Sequence, residues 1–146
     1  GPAVGVFSAA CATQLLWSGD GGLVGAYHAG WRGLAAGMPE AAVQAMREAG
    51  ARDLRGALGP LIGPCCYDVG PEFEGLFPAS SLARRDGKLY FDQRAEALRR
   101  LAAAGLPTDR LEVSRECTSC GPTAYFSWRR DRVRRSLFSF IAPRAG

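Results

Sequence analysis

Histidine is almost missing from this sequence: 146 residues contain one, His28. A single imidazole excludes metal chemistry that needs several histidines from the chain itself. Long apolar runs are missing too. None approaches the roughly 18 residues a membrane helix requires, so a membrane partner is not expected. Basic residues are absent before Arg32, which removes the charged start of a secretory signal. Repeats, low-complexity tracts and linkers are also lacking, which leaves one ordinary domain over residues 1–146. Cysteine is present but poorly laid out for disulfides: the five (Cys11, Cys65, Cys66, Cys117, Cys120) are odd in number, and two are adjacent. A reducing, cytoplasmic setting fits that layout better than a disulfide framework.

What is present is a globular composition. Hydrophobic residues make up 47% and charged residues 22%, which argues against disorder and coiled coil. Eighteen Lys+Arg against fourteen Asp+Glu give +4, a mild excess that suits an anionic substrate. The excess is local, because Trp128-Arg-Arg-Asp-Arg-Val-Arg-Arg135 holds five arginines. That run lacks interleaved aromatics, so it reads as a solvated face rather than a nucleic-acid surface.

Val4 to Trp17 and Leu23 to His28 are apolar and rich in small and β-branched residues. They flank Ser18-Gly-Asp-Gly-Gly22, which predicts a β-hairpin. Leu34 to Ala49 is helical in composition, with regular helix starting near Pro39. Leu54 to Leu58, Lys88 to Phe91, Arg110 to Val113 and Ser136 to Ile141 read as strands. Asp92 is a good N-cap for a helix through Ala104, which Gly105 and Pro107 end. Strands outnumber helices and mix with them, so the expected class is α+β or mixed α/β.

The hairpin constrains His28. With Gly19-Asp20 as a two-residue loop, paired positions sum to 39, and Cys11 faces His28 directly. With Asp20-Gly21 they sum to 41, and Cys11 is the diagonal neighbour on the same face. A three-residue loop breaks the relation. A thiol beside an imidazole suits nucleophilic catalysis or metal binding. Gly30-Trp-Arg-Gly33 then leads into a helix. Gly30 and Gly33 let backbone approach a ligand, and Arg32 offers a fork for phosphate or carboxylate, so the segment is a candidate anion loop. Tyr67 and Trp31 could stack on a purine or sit in the core. Cys117-x-x-Cys120 has no second such pair to complete a zinc ribbon, so Cys65, Cys66, Cys117 and Cys120 are expected mostly to pack.

His28-Ala-Gly-Trp-Arg-Gly-Leu-Ala-Ala-Gly37 resembles the signature of the laccase-domain family, the purine nucleoside phosphorylases once labelled multicopper polyphenol oxidases. Ala57-Leu-Gly-Pro-Leu-Ile-Gly-Pro-Cys-Cys-Tyr-Asp-Val-Gly-Pro-Glu72 and Cys117-Thr-Ser-Cys120 with Phe126-Ser-Trp-Arg-Arg-Asp131 resemble that family's later motifs, in order. The resemblance implies an α/β layered sandwich related to the catalytic domain of cytotoxic necrotizing toxins. It implies phosphorolysis of adenosine, inosine and methylthioadenosine, with purine nucleoside and phosphate as partners, and adenosine deamination as a further activity. It also implies zinc held by His, Cys, His, of which Cys11 and His28 match the second and third ligands. Arg129 and Arg130 match the family's Arg-Arg, which implies substrate or phosphate binding or else a structural role.

The family's first histidine belongs to a segment before Gly1, and Ala10 stands where the family has Asp. The chain is therefore expected to be a fragment or a shortened member, and a homodimer could cover the face such a segment leaves. The alternative function is a non-catalytic relative that binds a partner. Copper-dependent phenol oxidation ranks last, for want of imidazoles.

Overall fold

The computed structural model describes residues 2–8, 11–121 and 137–144. The strands are β1 (Val4–Ser8), β2 (Ala12–Trp17), β3 (Val24–Ala29), β4 (Arg55–Leu58), β5 (Asp68–Val69), β6 (Leu82–Arg85), β7 (Lys88–Phe91), β8 (Leu111–Val113) and β9 (Leu137–Ile141). The helices are α1 (Trp31–Ala35), α2 (Met38–Glu48) and α3 (Gln93–Ala103).

Among the described residues these strands form three sheets. A four-stranded sheet runs β3-β2-β4-β8, with antiparallel pairs except for the parallel β4–β8. A three-stranded sheet runs β5-β7-β6, and β1 pairs antiparallel with β9. The β1–β9 ribbon lies against β2 and β3, while α2 and α3 pack on the central sheet and on each other. The result is a mixed α/β layered arrangement, as the composition of the segments predicts.

The hairpin forms with a correction. Val4 to Trp17 is not one strand: β1 leaves to pair with β9, and the hairpin's first arm begins at Ala12. Between Trp17 and Val24, the Ser18 amide donates to Leu23 O at 3.0 Å, and Asp20 accepts from the Ser18 hydroxyl and the Gly22 amide. This side-chain-braced loop sets Ala12 opposite Ala29 and Thr13 opposite His28, so positions sum to 41.

The helices start and stop where their residues dictate. Pro39 lies in the first turn of α2, where its missing N–H costs nothing. Asp92 caps α3 through Ala95 N at 2.9 Å, a contact typically contributing about 1 kcal/mol. At the other end Gly105 takes φ +90°, and Arg47 from α2 donates to the carbonyls of Ala104 and Gly105. Those carbonyls would otherwise be unpaired at a helix C-terminus, so Arg47 both caps α3 and fixes α2 against it.

Strand β6 went unforeseen, although its signal is printed in the chain. Asp86 and Gly87 both have positive φ, 51° and 75°, and connect the Arg85–Lys88 pair. That is the two-residue turn for which Asp-Gly is the strongest short-range cue.

Among the described residues two apolar clusters fill the interior. Leu34, Leu58, Leu61, Phe73, Phe77, Leu89 and Phe91 make one; Leu16, Val43, Met46, Leu54, Leu101 and Leu106 make the other. In the first, Phe77 stacks on Phe91 at 4.4 Å between centroids, and Phe73 meets Phe91 edge-on at 5.4 Å. The buried carboxylate of Glu96 is held by Arg99 at 2.7 Å, Arg100 at 3.1 Å and the Ser81 hydroxyl at 3.2 Å. Burial alone would raise this acid, but the guanidinium partners outweigh it and lower its pKa. Among the described residues no helix is long and apolar enough to cross a membrane.

Candidate functional site

The register decides how Cys11 and His28 stand. His28 pairs with Thr13, so Cys11 falls two positions on, opposite Gly30 and diagonal to His28 on one face. The approach of Cys11 to Gly30 is close: a Cβ on Gly30 would lie 3.2 Å from the Cys11 sulfur. Glycine at 30 therefore leaves room for the thiol at the point where β3 hands over to α1. Alternation along β3 turns Ala29, 2% exposed, into the core and leaves His28 exposed on the other face.

The two side chains differ in electrostatics. Burial pushes the Cys11 thiol above its ordinary value, so it is protonated at neutral pH. Partial desolvation pushes His28 below 6.5, so its ring is neutral at pH 7 and can accept a proton. A neutral imidazole beside an un-ionised thiol is an acid–base arrangement, not a ready thiolate nucleophile.

Arg32 is exposed, with its guanidinium over the Trp31 ring at 4.5 Å. Trp31 in turn packs on Phe73, with centroids 5.2 Å apart. The predicted anion loop is thus anchored on its aromatic side while its charge faces solvent. Gly30 and Gly33 flank it, and a Cβ on Gly33 would meet Ala29 Cβ at 3.2 Å, so the second glycine serves close packing of α1 on β3. Tyr67 is half-buried and meets Phe91 edge-on at 5.6 Å, in the aromatic core. Arg129 and Arg130, with the rest of the arginine run, lie outside the described residues.

The other four cysteines, expected mostly to pack, also gather into one cluster. Cys65, Cys66, Cys117 and Cys120 bring their sulfurs within 4.8 Å of one another, and Cys65 and Cys120 are exposed. Sequence spacing hid this because the two pairs meet through tertiary contacts. Leu61 forms a parallel bridge with Cys117, and Thr118 N donates to Leu61 O at 2.9 Å. The cue available in sequence was the turn-forming Gly63-Pro64 beside one pair and the x-x spacing of the other. Burial and neighbouring thiols push Cys65 up. Cys117 is itself raised by burial, yet amide donors around it prevail and bring it to about 6.

The family model described as "Multi-copper polyphenol oxidoreductase laccase" matches residues 1–142. The chain belongs to this laccase family. It is 36% identical over 138 residues to a purine nucleoside phosphorylase of Aquifex aeolicus, covering 94% of this chain and 64% of that protein. It is 34% identical over 140 residues to adenosine deaminase RL5 of an unknown prokaryotic organism, covering 89% of this chain and 53% of that protein. Its fold matches the crystal structure of Bacillus licheniformis hypothetical protein YfiH with a TM-score of 0.87 at 30% identity, over 97% of this chain and 58% of that one. The chain thus spans between about half and just under two-thirds of the length of these relatives.

Cys11 and His28 supply two of the donors that a laccase-family zinc would need. A catalytic zinc takes three protein ligands and one open position. Among the described residues no third His, Cys, Asp or Glu gathers with this pair, so the pair alone does not make such a site. Nor does one histidine meet the needs of the copper centre in the family's description.

Proposed function

We propose that the chain carries the purine nucleoside phosphorolysis site of a laccase-family enzyme at the open end of the β2–β3 hairpin. The observation that carries this reading is the diagonal of Cys11 and His28 on one face, one step before the Gly30–Gly33 segment with Arg32. The names of the relatives, purine nucleoside phosphorylase and adenosine deaminase, agree with a purine nucleoside as substrate.

In this reading Arg32 and the backbone at Gly30 and Gly33 bind phosphate, with Arg129 and Arg130 assigned to the same anion by their match to the family motif. A phosphate oxygen attacks the ribose C1′, the C1′–N9 bond breaks, and the electron pair leaves with the purine. The proton given up by phosphate passes to the neutral His28 ring and on to the departing base. Cys11, protonated, donates a hydrogen bond rather than attacking. Tyr67 acts through the aromatic core that supports the loop, where it meets Phe91, rather than by stacking on the purine. The same base could assist addition of water to purine C6 and loss of ammonia, the reaction named for the RL5 relative.

The test is chromatography of free base released from adenosine and inosine by the 146-residue chain, with and without phosphate. Release that requires phosphate and disappears in His28→Ala is the expected result. No release from folded protein would leave the non-catalytic, partner-binding reading in its place.

A further inference from the structure

We infer that Cys65, Cys66, Cys117 and Cys120 hold one zinc ion through four thiolates, as a structural site separate from Cys11 and His28. Zinc bound by sulfur at about 2.3 Å in a tetrahedron sets its sulfurs about 3.8 Å apart. The four sulfurs here bracket that value, from 3.3 Å between Cys65 and Cys120 to an upper bound of 4.8 Å for any pair. Small shifts close the tetrahedron, with the Cys65 and Cys120 sulfurs parting by about 0.5 Å and any wider pair drawing in. Four protein ligands leave no open position for water or substrate, which makes the site structural rather than catalytic.

The surroundings match a thiolate centre. Cys117 accepts two backbone N–H bonds, from Gly63 at 3.2 Å and Ser119 at 3.4 Å, of the kind that orient and stabilise a ligating sulfur. Both cysteine pairs ride on tight turns: Cys66 N and Tyr67 N donate to Gly63 O, and Gly121 N donates to Cys117 O at 2.9 Å. The second turn would have to shift to admit a larger residue at 121, where a Cβ would lie 2.2 Å from the Cys117 carbonyl oxygen. Four thiolates around Zn²⁺ carry a net charge of −2, and cations stand nearby. Arg94, 8% exposed, donates to Ser114 O at 2.9 Å and Glu116 O at 3.1 Å and interacts electrostatically with Cys65 and Cys117. Arg85 donates to Pro64 O at 2.6 Å, beside Cys65. Binding releases the thiol protons to solvent, so no oxidant or reductant is needed.

The test is zinc content by mass spectrometry of the full chain, purified under reducing conditions after incubation with zinc and desalting. About one equivalent is expected in the unmodified chain and in the Cys11→Ala/His28→Ala double variant, with at least a tenfold loss in Cys65→Ser/Cys120→Ser. Two measurements on the unmodified chain guard against a variant that fails to fold. Cobalt in place of zinc should give thiolate charge-transfer absorption and strong tetrahedral ligand-field bands. Zinc should also slow alkylation of four of the five thiols at least tenfold, with Cys11 unaffected. Absence of bound zinc, zinc that follows Cys11 and His28 instead, iron or copper in its place, or a persistent Cys65–Cys120 disulfide would each overturn the assignment.

Discussion

The open end of the β2–β3 hairpin and the Cys65–Cys120 cluster both gather titratable side chains, but they are built in opposite ways. The hairpin end is local: His28 and Cys11 meet because an antiparallel register of 41 brings them to one face. The cluster is non-local, with its outermost sulfurs 55 residues apart in sequence. At the hairpin the thiol is protonated and the imidazole neutral, while in the cluster amide donors favour a thiolate on Cys117. A pair with a neutral base and an open side suits chemistry on a passing substrate. A closed set of four suits holding two loops together.

Substitutions can break this contrast. The largest effect is expected from His28→Ala, which removes the proton acceptor and should lower phosphate-dependent base release at least about a hundredfold. Melting temperature should barely move, because His28 is exposed. Gly121→Ala should do the reverse. Its Cβ meets backbone at 2.2 Å, and the strain should cost about 1–3 kcal/mol in denaturant unfolding while purine release by the folded fraction persists.

Gly30→Ala is milder, since the displaced atom is a side-chain sulfur at 3.2 Å. It should slow turnover about tenfold by moving Cys11, with less than about 1 kcal/mol lost. A pH profile sharpens the contrast with the least perturbation. The neutral form of His28 is the active one and its pKa is lowered, so the acid limb of kcat/KM should fall at a pH below 6.5. The Cys11 pKa is raised above 9.0 by burial, so the unfolded chain ionises first as pH rises. Its contribution to stability is therefore lost in titrations above pH 9, and Cys11→Ala should flatten that loss.

Much of the central sheet and of α3 was readable in the sequence because their ends carry local punctuation. Ser18 to Gly22, Gly59-Pro60, Asp92 and Gly105 each mark an end that the structure shows. The hairpin's face was readable for the same reason, once the turn was narrowed to a few options. The departure of β1 to β9 was not readable, since pairing with a strand at the far end of the chain leaves no local trace. Nor was the fate of Trp31 and Tyr67, whose rings suit a purine as well as a phenylalanine until Phe73 and Phe91 are placed beside them. The cysteine cluster is the clearest case. Its ligands are brought together by the Leu61–Cys117 bridge, and adjacent thiols carry no periodic signal.

The parallel pairing of β4 with β8 has a consequence for the order in which the molecule assembles. Parallel neighbours cannot be joined by a tight turn, so Gly56–Leu58 and Leu111–Val113 are connected through a crossover that contains the β5-β7-β6 sheet and α3. Loop closure over such a span is slow compared with the β2–β3 hairpin, which needs only its own six-residue arms. The Leu61–Cys117 bridge continues that late pairing. Convergence of the four sulfurs therefore reports completion of the β4–β8 crossover, and the time at which their thiols become protected dates that closure against the earlier hairpin.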